Sequence, residues 1–209
     1  MQEIAGKLTI SDWEELELKL DNTKPENWGN AFNFFEQRMT TRYLNPINEI
    51  LKMGLNQGEG FAVVNLQCSL IETIESFYNG CIFNNKSRKF ELLDGTNVFN
   101  FNEEIFKSFF DKREPFISLQ IDGVDFYKSV RCGLLHETQT KNNWRIKAGL
   151  VRIYEQNGDE KIIYREKFQR GLEKVIIKYK EELLGIDGEK YRKNFKEKFK
   201  HICDQSKVK

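Results

Sequence analysis

Histidine is nearly absent from this chain: there are two, His136 and His201, in 209 residues. The four cysteines, Cys68, Cys81, Cys132 and Cys203, are scattered, and no two form a C-x-x-C pair. With so few soft ligands no zinc pattern is completed, and no metal or other cofactor is expected. Apolar runs fall far short of the ~20 residues needed to cross a bilayer. Met1 to Ile10 lacks a basic start followed by an apolar stretch, so no secretion signal is expected. A cytoplasmic protein with buried, reduced thiols is therefore favoured over a disulfide framework. Excess charge is also missing. Residues of both signs make up 31% of the chain, yet the net charge is +1, so any nucleic-acid contact should be a local patch. Gly54, Gly58 and Gly60 lack the lysine and strand context of a phosphate-cradling loop, and there is no repeat or low-complexity segment.

The hydrophobic content of 39% and 17 phenylalanines fit a globular protein. The length suits one domain spanning 1–209. Residues 1–28 read as a first helix and a loop. Ser11 and Glu14 have the form of a capping box opening a helix over Asp12 to Leu20, and Asn22 to Asn27, with Pro25, reads as the loop. From Gly29 the residues Phe32, Phe35, Met39 and Tyr43 recur at helical spacing, with Phe34 counted as core packing too. Pro46 starts a new helical run or kinks the first, and Gly54 to Gly60 ends that pair. A long helix over Phe61 to Tyr78 is apolar around so much of its circumference that it should be central. Lys89 to Phe101, with Asp94-Gly95, suggests a small hairpin. Glu103 to Phe110 is helical until Glu114-Pro115, and Gly123 to His136 is the next helix, closing a helical core over 29–136.

A clearer β-hairpin is expected over 144–165. There Ile146, Ala148, Leu150 and Ile153 precede Asn157-Gly158, and Ile162-Ile163-Tyr164 follow. Two helices over 166–205 then present Phe168, Leu172, Val175, Ile176, Tyr179 and Leu183 on one stripe, and Tyr191, Phe195, Phe199 and Ile202 on the other. The expected fold is mainly α with an attached β-hairpin.

On a helical wheel, Val124, Phe126, Tyr127, Val130, Leu134 and Leu135 fill an apolar arc of the Gly123 to His136 helix, and Arg131 falls inside it. The same wheel places Glu75 inside the apolar arc of the Phe61 to Tyr78 helix and Glu72 on its polar side. A lone buried charge would cost several kcal/mol, so Glu75 is expected to orient Arg131. Five residues on is His136. Arginine suits a fixed phosphate contact and histidine a proton transfer near neutrality, which together would serve RNA cleavage without a metal. A five-residue step turns about 140° on a regular helix, so the two do not share a face. Either His136 lies beyond the helix end or two copies of the chain assemble the site. Cleavage by 2′-hydroxyl attack needs both a base and an acid, and a twofold dimer would supply two histidines.

The segment Tyr127-Lys128-Ser129-Val130-Arg131-Cys132-Gly133-Leu134-Leu135-His136-Glu137, with the helices upstream of it, resembles the HEPN superfamily. These compact helical domains have ribonuclease branches that carry an arginine, four to six intervening residues and a histidine. The resemblance covers roughly Gly29 to His136. It implies a HEPN-like helical bundle acting as a metal-independent endoribonuclease across a homodimer, with Arg131 on the scissile phosphate and His136 in proton transfer. It also implies a phage-defence or toxin–antitoxin setting, where a cognate inhibitor protein would be a partner. Cys132 stands where many active members have a polar residue after the arginine. Glu137 and Thr138 replace the tyrosine of one antitoxin-regulated branch.

Lys128, Lys141 and Arg145 flank the motif as candidate RNA-backbone contacts, with Trp144 as a stacking surface. Plainer roles stand beside these. Arg131 could be a structural ion pair, His136 a helix-end cation, Trp144 an anchor for the hairpin, and the lysine-rich 190–200 segment a solvated helix face. The alternatives to a ribonuclease are a non-catalytic module of the same fold that binds a nucleotide or protein, and a scaffold in which the motif is accidental.

Overall fold

The computed structural model describes residues 2–54 and 58–207. It is mainly helical with small sheets. Among the described residues no helix is long and apolar enough to cross a membrane. Contacts divide the chain into two compact units, each assembled from separate stretches of sequence. Unit 1 is Met1–Leu44, Ile74–Phe101 and Ile176–Lys209; unit 2 is Asn45–Thr73 and Asn102–Val175.

In unit 1, β1 (Glu3–Ala5) and β2 (Leu8–Thr9) form an antiparallel pair that leads into α1 (Ile10–Glu17). The capping box is Thr9 with Asp12, two residues earlier than the expected Ser11 with Glu14. Thr9 Oγ1 accepts from the Asp12 N–H at 3.3 Å, and Asp12 Oδ2 accepts from the Thr9 N–H at 2.8 Å. The cap falls there because β2 ends at Thr9 and the chain turns directly into the helix. α2 (Trp28–Met39) buries Phe32, Phe34, Phe35 and Met39, as their spacing predicts. It widens into a π turn at Thr40–Leu44, just before Pro46 near the start of α3 (Asn45–Met53). Proline lacks an N–H to donate, and a wide turn is one way a helical stretch accommodates that loss. The expected break over Gly54 to Gly60 lies partly outside the described residues; α4 (Glu59–Asn79) follows it.

The expected hairpin over Lys89 to Phe101 is present, and a strand from just before it makes the sheet three-stranded and antiparallel. β4 (Lys89–Glu91) sits between β3 (Ile82–Asn84) and β5 (Asn97–Phe99). The unit's core is aromatic. Trp13 stacks on Phe199 at 4.5 Å between centroids, Phe35 meets Phe77 edge-on at 4.8 Å, and Phe195 stacks on Phe199 at 4.9 Å. Such pairs add about 0.5–1.5 kcal/mol each beyond the area they bury.

The C-terminal helices are α8 (Arg165–Leu184) and α9 (Glu189–Lys207). Phe195 and Phe199 of the expected stripe face inward on α9, joined by Arg192 and Cys203, while Tyr191 and Ile202 are half-buried. Arg192 is fully buried and, among the described residues, donates only to backbone carbonyls: Nε to Asn22 at 2.6 Å, Nη1 to Leu183 and Gly185 at 3.0 and 2.8 Å, and Nη2 to Ile186 at 3.3 Å. It thereby caps the end of α8, where carbonyls have no partner within the helix. Two and six residues further along, Asn194 and Lys198 donate to carbonyls at and just past the end of α4. Asn194 Nδ2 donates to Tyr78 O, and Lys198 Nζ donates to Cys81 O, both at 2.7 Å.

Unit 2 holds α3, the first part of α4, α5 (Asn102–Lys112), the motif helix and the sheet of the 144–165 region. Phe110, Phe116, Phe126 and Phe168 form its aromatic centre, with Phe110 and Phe126 at 4.8 Å and Phe116 and Phe168 at 5.0 Å. The expected hairpin is only half present. β7 (Tyr154–Asn157) and β8 (Glu160–Tyr164) pair antiparallel around Gly158, whose φ of +58° suits glycine. β6 (Trp144–Lys147), however, runs parallel to β8 on its other edge. The chain leaves the sheet after Lys147 because Gly149 is tied to α8. Its N–H donates to Glu166 Oε2 at 2.6 Å, and its carbonyl accepts from the Lys167 N–H at 3.1 Å.

Two measurements check the polar locks of unit 1. Arg192→Met should lower unfolding free energy in urea by about 3 kcal/mol, because several carbonyls lose their donor at once. Arg192→Lys should recover less than about half of that loss, since an ammonium cannot reproduce the fork. Lys198 tests the sign of a titration. Burial, with Arg38 nearby, pushes its ammonium down to about 8 from 10.5. The unfolded chain therefore binds that proton more tightly, and the contribution to stability rises as pH climbs from 8 to 10.5. Burial pushes the thiols of Cys81 and Cys203 up to about 11, which slopes the other way. The difference in stability between wild type and Lys198→Met isolates the lysine, and it should move in favour of wild type across that window.

Candidate functional site

The motif helix is interrupted. Asp122 caps it by accepting from the N–H groups of Val124 and Asp125 at 2.9 and 3.1 Å. α6 (Gly123–Phe126) then opens into a π turn at Tyr127–Arg131, and α7 (Cys132–Glu137) resumes the α pattern. The Cys132 N–H reaches the Tyr127 carbonyl, a five-residue step. The buried face is Gly123, Phe126, Ser129, Val130, Gly133 and Leu134, while Leu135 is 49% exposed. Apolar side chains alone therefore misplace the arc, because two glycines and a serine occupy part of it. At Gly133 a Cβ would lie 2.5 Å from the Gln139 carbonyl oxygen, so the loop after the helix folds directly onto its backbone.

Arg131 sits at the edge of that face. Its Nε donates to Glu72 Oε1 at 2.9 Å, and each side chain is 26% exposed. The expected partner, Glu75, is not the one found. Glu75 is fully buried in unit 1 and accepts from Asn79 Nδ2 at 2.9 Å. The pair is a marginal one because Arg131 and Glu72 each lie at the rim of their helix. The Tyr127 ring flanks the guanidinium, with Cζ 5.8 Å from its centroid. Burial opposes the charge on Arg131, but the Glu72 carboxylate outweighs it and holds the guanidinium above its ordinary range.

His136 is exposed near the end of α7, inside the helix and not beyond it. Within one chain it and Arg131 are thus about 140° apart around the axis. His201 belongs to unit 1; burial, then Lys198, lowers its pKa. The flanking cations are exposed or engaged. Lys128 lies 3.7 Å from Glu103, Lys141 pairs with Glu137, and Arg145 lies 3.7 Å from Glu160. Trp144 corrects the stacking expectation, since it is 1% exposed and offers no face to a base. It anchors the sheet, with Nε1 donating to Asp125 Oδ2 at 2.9 Å and its ring edge-on to Phe126.

Asp125 is a group the sequence did not single out. It accepts from Trp144, from Ser129 Oγ at 2.7 Å and from Lys161 Nζ at 2.6 Å. Burial works against its ionisation, but the hydrogen bonds from Lys161, Ser129 and Trp144 prevail and hold its carboxyl below the usual range. Ser129 in turn accepts from Asn142 Nδ2 at 2.8 Å, and its carbonyl accepts from the Lys141 N–H at 2.9 Å. The loop so held contains three left-handed residues, Thr138, Asn142 and Asn143. Asn142-Asn143 was the available signal, because asparagine tolerates that conformation better than most residues.

No family model, no curated protein and no solved structure matches the chain.

The contact at Gly133 gives opposite signs for two glycine substitutions. Gly133→Ala should destabilise by about 2 kcal/mol and expose the 138–143 loop to limited proteolysis, since backbone must move. Gly29→Ala, in a helix where an added Cβ meets nothing within 4 Å, should be neutral or stabilising by up to about 1 kcal/mol. Thermal melts of the two variants provide the comparison.

Proposed function

We propose that the chain is a HEPN-like helical protein that cleaves RNA as a homodimer, without a metal, through Arg131 and His136. The supporting observation is the contrast between these two side chains. Arg131 is fixed at a half-buried margin by Glu72, while five residues on His136 stands exposed, with no hydrogen bond or ion pair among the described residues. One is held in place with part of its side chain exposed, and the other is open to solvent. Because they diverge around the helix, a second copy supplies the complementary pair. In that arrangement one imidazole takes the proton of the 2′-hydroxyl. The 2′-oxygen bonds to phosphorus, and the bond to the 5′-oxygen breaks. The other histidine, protonated, gives its proton to the leaving oxygen. The products are a 2′,3′-cyclic phosphate and a 5′-hydroxyl, and Arg131 offsets the charge that builds on the phosphoryl oxygens. In this reading Lys128 and Arg145, both largely exposed, meet the RNA backbone. A defence or toxin setting with a cognate inhibitor accords with this chemistry.

A non-catalytic module that binds a nucleotide or a protein is the second reading. It is favoured by one observation, that Arg131 already has a carboxylate partner.

Fluorescent single-stranded and stem-loop RNAs incubated with the full chain in EDTA separate the two. Cleavage is expected, with activity per chain falling on dilution as the dimer dissociates. His136→Ala and Arg131→Ala should each reduce it by about 10²–10⁴-fold while melting like wild type. Undiminished cleavage by His136→Ala would overturn the assignment. Binding without cleavage by wild type would favour the second reading.

A further inference from the structure

We infer that Glu72 is a positioning residue that presents Arg131 to a phosphodiester, an inference that rests on the function proposed above. The geometry of the contact carries it. A carboxylate that neutralises an arginine for structural reasons commonly engages two nitrogens in parallel. Here Glu72 meets Nε alone, at 2.9 Å, and this is the only hydrogen bond the guanidinium makes among the described residues. Its four Nη donors are left uncommitted, in the planar fork that matches two phosphoryl oxygens. The Tyr127 ring, 5.8 Å from Cζ, restricts the guanidinium from one side. An unrestrained arginine would lose rotamer freedom on binding, and the Glu72 and Tyr127 contacts remove part of that loss in advance. The contrast with Arg192 is direct: there Nε, Nη1 and Nη2 all donate to carbonyls, and the side chain is sealed from solvent. Arg131 and Glu72 instead keep 26% of their side chains exposed. The negative charge of Glu72 also repels an approaching phosphate from the Nε end, so an RNA backbone is steered onto the free edge.

The test uses two RNAs of one sequence, an unmodified strand for cleavage and a fully 2′-O-methylated strand for binding by fluorescence anisotropy. Wild type is compared with Glu72→Ala, Glu72→Gln, Arg131→Ala and the double alanine variant. Glu72→Ala should weaken binding of the uncleavable strand by about tenfold and cut the cleavage rate by up to about a hundredfold. The double variant should be no worse than Arg131→Ala, because the carboxylate acts only through the arginine. Glu72→Gln, which keeps an acceptor for Nε, should recover most of the binding. A Glu72→Ala protein that melts lower but binds and cleaves like wild type would show a purely structural pair and overturn the inference, leaving the ribonuclease reading intact. Additive losses in the double variant would overturn it too. If wild type binds but does not cleave, the nuclease reading falls while the binding cycle still decides the role of Glu72. If wild type neither binds nor cleaves, both fall.

Discussion

A charged group taken out of water must find its counterpart inside the protein, and both units of this chain are organised around that constraint. In unit 1 the counterpart is backbone. Arg192 answers three carbonyls at the end of α8 and that of Asn22, and Lys198 and Asn194 answer carbonyls at and just past the end of α4. In unit 2 the counterparts are side chains. Asp125 gathers Trp144, Ser129 and Lys161, and Arg165 is paired with Glu59 at 3.0 Å. The aromatic cores supply most of the favourable burial, but they are non-directional. The polar contacts, which fail unless their partners are in place, fix where α9 and the 138–143 loop must lie.

This division explains which parts of the molecule could be read from sequence. The long helix from Glu59, the aromatic spacing of α2 and the stripe of α8 follow from periodicity, because burial of large apolar side chains leaves a repeat in the chain. The buried arginine could not be read that way. Arg192 lies three residues before Phe195 and is in phase with the core, yet its partners are carbonyls, which every residue possesses and no sequence marks. Arg131 drew attention instead because a wheel drawn on apolar side chains placed it inside. The structure puts Gly123, Ser129 and Gly133 on that buried face, rotating it away from Arg131. A close backbone approach is made by residues that leave little apolar signal. For the same reason the parallel pairing of β6 with β8 was hidden. Alternation continued through Leu150, while the actual exit from the sheet depends on a backbone bond at Gly149.

At the candidate site, the π turn and the loop behind it act together. A five-residue step withdraws one carbonyl from the usual ladder, and here the Ser129 carbonyl is taken up by the Lys141 N–H. The Asn142 side chain and the Gly133 carbonyl hold the same loop from two further points. The end of α7 is thereby tied to the helix that precedes it, and His136 is carried on a turn whose backbone is restrained although its imidazole is exposed.

Arg131 and His136 nevertheless do not share a face of the helix within one chain. The π turn ends at Arg131, so the path to His136 is a regular α step, and its rotation of about 140° is fixed by helix geometry, not by side-chain choice. If the site is assembled, its symmetry follows. A twofold axis near the ends of two α7 helices would set each histidine against the other protomer's arginine, with both phosphate-facing edges turned inward. Leu135, between the two residues and 49% exposed, would then lie in the interface, an apolar contact beside two arginines that would otherwise repel. A bound RNA backbone would relieve that repulsion, so the substrate itself would contribute to holding the dimer together. In the proposed dimer, RNA binding and assembly would thus be coupled through Arg131 and His136, which lie five residues apart in the chain.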